Sequence, residues 1–186
     1  RVIEEMLGKS YCVSVDTLKG LFGKPMNEIC DIIFPGLSPA DKEAAGKACF
    51  DYENALLETE PGILYDGVRE TLEVLSSRIP LFIVSNCQCG YIELFLQGAK
   101  LREGTISGYL CYGDTLASKD VTIRRLMAQY GLKDAVYVGD TLGDALACEK
   151  AQVPFILAAY GFESKPIEDR LCRNRIHAIR ELLSLV

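Results

Sequence analysis

The chain has 186 residues, 49% hydrophobic and 25% charged, with 7 Pro and 16 Gly. This excludes a disordered, fibrous or Pro/Gly-repeat protein and leaves one ordinary domain, or a compact core carrying a small insert. Twenty basic against 26 acidic residues give a net charge of -6 with no basic run, which argues against nucleic acid as a partner. The longest apolar run, residues 153–160, is strand-sized and contains a proline, so no membrane span is expected.

In chain order, residues 1–60 read as helical. Val2, Ile3, Met6 and Leu7 recur at helical spacing before Gly8; Pro25, Met26, Ile29, Cys30 and Ile33 do so after Gly23; and Ser38-Pro39-Ala40-Asp41 opens a third segment running to about Glu58. Gly20, Gly23 and Gly36 break this stretch into a small helical unit. It also holds the acid excess, with 6 basic and 11 acidic residues against 14 and 15 in the remainder.

From Glu60 the pattern changes. After the turn Glu60-Pro61-Gly62 the sequence predicts a helix over 68–75, an apolar strand over 80–84 stopped by Ser85-Asn86, a helix over 91–96 and a strand over 107–112. A helix over 120–130, with Ile123, Leu126 and Met127 inward, leads to a strand over 135–138. A helix over 144–150, a strand over 153–158 and a closing amphipathic helix over 176–185 follow. Short, nearly unalternated strands separated by helices imply an α/β fold, a Rossmann-like parallel sheet covered on both faces. Ligands of such sheets bind beyond the carboxyl ends of the strands, which selects Ser85-Asn86, Gly139-Asp140 and the loop after Ala158.

These ends carry the chemistry. In Gly139-Asp140-Thr141-Leu142-Gly143-Asp144, two carboxylates four residues apart can meet one hard cation or one ammonium, or merely cap the next helix. Ser85 and Asn86 offer a hydroxyl, an amide and backbone N–H groups to an anionic oxygen, although Ser85 can also serve as a helix cap. Lys119 stands where a helix begins, a place unfavourable to a cation unless it has a counter-charge, which Asp120 can supply, or a functional reason. Together Ser85, Lys119, Asp140 and Asp144 make a set able to hold a phosphoryl group and Mg2+.

The eight cysteines are Cys12, Cys30, Cys49, Cys87, Cys89, Cys111, Cys148 and Cys172. Several lie in apolar stretches, and a domain of this size does not need disulfide staples, so reduced, mostly buried thiols in a cytoplasmic protein are expected. Cys87-Gln88-Cys89 lacks a second pair at zinc-finger spacing, and Cys87, two residues beyond Ser85, is open to incidental oxidation. His177 falls in the closing helix, away from any nucleophile. No dinucleotide or P-loop glycine pattern occurs.

At these residues the chain resembles the haloacid dehalogenase-like hydrolases, within them the phosphoglycolate phosphatase-like group with a small helical cap. The likeness is carried by LKGLFGKPMNEI, YDGVRETLEVL, LFIVSNCQCGYIELFL, SKDVTIRRLM, AVYVGDTLGDALACEKAQVPFI and AAYGF. It implies a helical cap over residues 1–60 and a core over 61–186. Ser85 and the backbone around Asn86 would bind the phosphoryl oxygens, and Lys119 would offset charge on nucleophile and phosphoryl group. Asp140 would bind Mg2+, and Asp144 would position the metal water or Lys119. Lys19 and Lys24, flanking the LFG turn, are candidates to reach the far end of an anionic substrate, or are solvated surface lysines.

The family's first motif, DxDGT at the end of a central strand, is missing from residues 1–186. Its nearest imitation, Val13-Ser14-Val15-Asp16-Thr17-Leu18, has Leu18 where a proton-transferring carboxylate is required, and Asp16 reads as a cap residue. The nucleophile is therefore expected upstream of Arg1, two strands should lack their common neighbour, and these residues alone are expected to be inactive. The resemblance implies a Mg2+-dependent phosphatase that hydrolyses a small phosphorylated metabolite through an aspartyl-phosphate, as a monomer or homodimer. A phosphosugar mutase and a non-catalytic interaction protein are the alternatives.

Overall fold

The computed structural model describes residues 4, 5, 8, 11–162 and 166–186. The helix expected around Val2 to Leu7 falls largely outside them. The N-terminal part contains helices α1 (Val15–Lys19), α2 (Met26–Ile33) and α3 (Pro39–Thr59). Ser14 caps α1 by accepting from the Thr17 N–H, and Ser38 caps α3 by accepting from Asp41 N at 3.2 Å, each satisfying an otherwise orphaned first-turn donor. Pro25 lies one residue earlier than expected, as the N-cap of α2. Helices α2 and α3 bury Cys30, Phe34 and Ala45 between them, with Tyr11, Met26 and Ile33 around this small core. Gly46 makes the approach possible, because a Cβ there would stand 3.3 Å from Cys30 Sγ. This is the helical cap.

The α/β part runs α4 (Val68–Ser76), β1 (Phe82–Ser85), α5 (Tyr91–Ala99), β2 (Gly108–Cys111), α6 (Tyr112–Thr115), α7 (Lys119–Tyr130), β3 (Tyr137–Gly139), α8 (Leu142–Ala151), β4 (Phe155–Ala158) and β5 (Asn174–Ile176). All pairings are parallel. Strand β4 shows both faces covered. Phe155 and Leu157 pack with Ile123, Ala145 and Cys148 from α7 and α8, whereas Ile156 and Ala158 pack with Leu75, Ile176 and Leu182. A strand buried on both faces has no reason to alternate, which is why its sequence is continuously apolar.

One element departs from expectation. The closing helix is absent: Asn174–Ile176 is a strand, and only Ile179–Ser184 is helical, as 3-10 turns. Ile176 pairs with Ala158 in the ladder and is fully buried there, so a ladder partner and a buried slot override the helical spacing. His177 accordingly lies outside any helix, its N–H donating to Glu181 Oε2 at 3.3 Å.

The sheet is divided, as expected from the missing first motif. Strands β1 and β2 form one ladder and β3, β4 and β5 another, so among the described residues β1 and β3 have no ladder partner on their facing sides. The Tyr137 hydroxyl spans this division, donating to the Val84 carbonyl at 2.9 Å. Among the described residues, no helix is long and apolar enough to cross a membrane.

Candidate active site

The carboxyl end of β3 is held by a closed set of hydrogen bonds. Thr141 is the N-cap of α8 and forms a reciprocal box with Asp144: Asp144 N donates to Thr141 Oγ1 at 3.2 Å, while Thr141 N and Oγ1 donate to Asp144 Oδ2 at 3.1 and 2.7 Å. The other oxygen, Asp144 Oδ1, accepts from Lys119 Nζ at 2.5 Å. The side chains of this ion pair are 11% and 5% exposed, so it is shielded from solvent and salt. Burial acts to raise the Asp144 pKa, but the Lys119 charge and the hydrogen bonds from Lys119 and Thr141 prevail and hold it below its ordinary value. Lys119, the first residue of α7, thus has its counter-charge in Asp144, while Asp120 is paired with Arg124 at 2.7 Å and with Ser118 Oγ at 2.6 Å.

Asp140 is held differently. Its Oδ2 accepts from Phe162 N at 2.7 Å, and its Oδ1 has no hydrogen-bond partner among the described residues. Gly161 makes this contact possible, since a Cβ there would collide with Cβ and Oδ2 of Asp140. One carboxylate oxygen is thereby fixed and the other left for a ligand.

At the end of β1, Ser85 Oγ accepts from Cys87 N at 3.2 Å, which leaves its own proton to donate. Asn86 is engaged by the cap, its Nδ2 donating to Gly23 O at 2.6 Å, so its backbone rather than its amide is open to an anion. The cap lands here through one turn. Gly23, at φ +80, sits against Thr141, where a Cβ would stand 3.1 Å from Thr141 Cγ2, and Phe22 stacks on Phe162 with centroids 4.4 Å apart.

Ser85, Asn86, Lys119, Asp140 and Asp144 all line one cavity of about 410 Å3 between cap and core, which Lys24 also lines. Lys24 pairs with Glu28 at 3.4 Å; Lys19 is exposed on α1 and is not part of the lining. Glu53 reaches the cavity from α3, where burial raises its pKa. Sequence reasoning gave no role to Thr141 or to the Phe22-Gly23 contact, and reached Gly161 and Phe162 only as part of the loop after Ala158. Thr141 carried a signal, since Thr three residues before Asp at a helix start is a capping pattern.

Asp140 fits a hard divalent cation, because Mg2+ is commonly held by one or two carboxylates with water and phosphate oxygens completing the shell. Asp144 has both oxygens committed to Lys119 and Thr141, which suits positioning better than direct ligation. A further group of possible metal ligands occurs among the described residues, formed by Cys89, Cys111 and Asp114. Its sulfurs do not suit Mg2+.

The haloacid dehalogenase-like hydrolase family model matches residues 2–158. The chain belongs to this family. A comparison with curated proteins finds no match. Among solved structures, it is similar to CbbY from Rhodobacter sphaeroides in complex with phosphate (TM-score 0.81, 15% identity, 97% of this chain and 85% of that one). It is similar also to a predicted phosphoglycolate phosphatase from Haemophilus somnus (0.80, 18%, 98% and 86%), and to a haloacid dehalogenase-like family hydrolase from Streptococcus pneumoniae (0.76, 20%, 99% and 86%). The fold is therefore that of a haloacid dehalogenase-like core with a small helical cap.

Proposed function

We propose that the chain supplies the phosphoryl- and cation-binding part of a Mg2+-dependent phosphatase acting on a small phosphorylated metabolite through an aspartyl-phosphate. The attacking aspartate comes from a segment preceding Arg1, entering where β1 and β3 lack a common neighbour. The observation that carries the reading is the shielded Lys119–Asp144 pair at 2.5 Å, lining one cavity with Ser85 and Asp140. The match to the hydrolase family supports it.

In this mechanism Ser85 donates its hydroxyl proton to a phosphoryl oxygen, with its orientation set by the Cys87 N–H. Lys119, fixed by Asp144, offsets negative charge as the aspartate attacks phosphorus and the ester oxygen leaves with a proton given by the second carboxylic acid of the same motif, which then takes one from the attacking water. Water then cleaves the aspartyl-phosphate, returning inorganic phosphate and the free carboxylate. Asp140 Oδ1 would hold Mg2+, which supplies positive charge to the transferring group when bound. The cap limits access of bulk water, with the Phe22–Phe162 stack at the rim of the cavity.

Turnover of an aryl phosphate by the protein with its preceding segment, together with Mg2+ calorimetry, tests this. Asp140→Asn is expected to abolish Mg2+ binding and turnover, and Lys119→Ala to lower turnover by at least ~100-fold. Undiminished turnover in Lys119→Ala, or activity that persists after chelation of Mg2+, would overturn the reading.

A further inference from the structure

Beside the phosphoryl-binding strand end lies a second group of ligands, unrelated to the carboxylate chemistry. Strand β1 runs parallel to β2 with Ser85 opposite Cys111, so Cys111 is next to the residues that follow Ser85. The Cys87-Gln88-Cys89 loop folds over the start of α6. Gly113 N donates to Cys87 O at 3.1 Å, and a Cβ at Gly113 would collide with Cys89 N and stand 2.9 Å from its Sγ. Only glycine lets the loop lie so close.

This packing brings together groups distant in sequence. The ligand atoms of Cys89, Cys111 and Asp114 lie within 4.8 Å of one another. Cys89 Sγ is 3.5 Å from Asp114 Oδ1, while Asp114 Oδ2 is anchored by Cys111 N at 2.7 Å. Two sulfurs and one carboxylate oxygen thus surround one point.

We propose that Cys89, Cys111 and Asp114 form a site for a thiolate-preferring divalent cation, with zinc as its physiological occupant and water as its fourth ligand. A tetrahedral ion with Zn–S near 2.3 Å sets ligand atoms about 3.8 Å apart, so no pair in the set need close by more than about 1 Å. Cys89 can supply that movement because it is exposed, while Cys111 is buried and Asp114 is fixed by the Cys111 N–H. On binding, each thiol releases its proton to solvent, and no oxidation is involved. The two thiolates make this set softer than Asp140, which separates its ion from Mg2+. Because the ligands bracket the loop that begins at Ser85, the bound ion pins that loop to the end of β2.

The test titrates Cd2+ into the reduced chain, reading its thiolate charge-transfer absorption, and then displaces it with Zn2+ against a chromophoric chelator. One equivalent is expected, with Zn2+ competing for the same site. Cys89→Ser, which alters an exposed side chain and should leave the fold intact, and Asp114→Asn are each expected to weaken binding by at least ~10-fold, as loss of even an outer-shell partner does. Cys12→Ser, in the cap, should bind like the parent. Absence of the thiolate band in the reduced parent, or equal affinity in parent and Cys89→Ser, overturns the proposal. So does a Cys87 or Cys89 disulfide with Cys111 that forms in air while the reduced chain binds no metal.

Discussion

The ends of β1 and β3 open onto the same cavity but satisfy their polar groups in opposite ways. At β3 the charges are fixed in advance: Lys119, Thr141 and Asp144 close a set of hydrogen bonds around a shielded ion pair, and Phe162 holds one oxygen of Asp140. At β1 the groups are neutral. Ser85 accepts from Cys87 N–H, the Asn86 amide is spent on the cap, and two thiols follow. Charge that must resist solvent reorganisation is built on a strand end locked to two helices, whereas donors that need only point at an anion sit on a loop. The contrast teaches that stability and chemistry are joined at β3 and largely separate at β1.

Breaking the ion pair should therefore give the largest effect. Lys119→Ala leaves the Asp144 carboxylate buried without its counter-charge and is expected to cost about 3–5 kcal/mol of folding stability, measured by chemical denaturation. Asp144→Asn should lose less, because a neutral amide remains. The same pair sets an acid limit. Because the folded pKa of Asp144 lies below its ordinary value of 3.8, its contribution is complete above that pH and is lost as pH falls through the folded value. The acid limb of the stability profile should be shallower in Asp144→Asn; an unchanged limb would assign acid sensitivity elsewhere.

Gly161→Ala sharpens the comparison at Asp140. The added methyl meets Asp140 Cβ and Oδ2, so either the carboxylate or the loop must shift, at about 1–3 kcal/mol. Mg2+ affinity, followed by calorimetry, should fall with it. A variant equally stable but with weakened Mg2+ binding would show that Gly161 serves the carboxylate's orientation rather than the fold.

Much of this arrangement was legible in the sequence, and the remainder was not for physical reasons. Gly139-Asp140 at the end of an apolar run and Ser38-Pro39 before a long helix are local signals, and both elements occur there. Helix α1 has no buried residue, hence no apolar stripe to reveal it. The expected closing helix failed because Ile176 and Leu182 are both buried, and their spacing alone does not separate a helix from a strand followed by 3-10 turns. Cys111 joins Cys89 only through the register that sets Ser85 opposite Cys111, and register is a property of the assembled sheet. The thiols also departed from expectation: no disulfide forms among the described residues, but only Cys30, Cys111 and Cys148 are fully buried.

On the β1 side, Ser85→Ala should be mild for the fold and selective for the chemistry. It removes one neutral hydroxyl whose partner, the Cys87 N–H, can turn to water. A stability loss of about 1 kcal/mol is expected. Turnover by a protein that carries the proposed nucleophile segment should fall by about ten- to 150-fold, the range that losing one hydrogen bond to a charged group implies. A stability loss as large as that of Lys119→Ala would erase the distinction between the two strand ends.

The smallest effect separates the two cap lysines. Lys24 lines the cavity and pairs with Glu28 at 3.4 Å on a partly exposed surface, whereas Lys19 lies on α1 outside the lining. A surface pair of this kind contributes about 0.2–1 kcal/mol, so neither Lys24→Ala nor Lys19→Ala should change the melting temperature appreciably. Their kinetics should differ. If an anionic group on the substrate extends from the phosphoryl site toward the cap, Lys24→Ala raises KM for doubly anionic substrates by roughly two- to fivefold, the same energy expressed as affinity. It leaves singly anionic substrates and kcat unchanged, because the charges acting on the phosphoryl group come from β3. Lys19→Ala should match the parent on every substrate. Equal losses in the two variants would mean that the cap acts through its overall charge, and identical substrate rankings in all three proteins would remove both lysines from substrate choice.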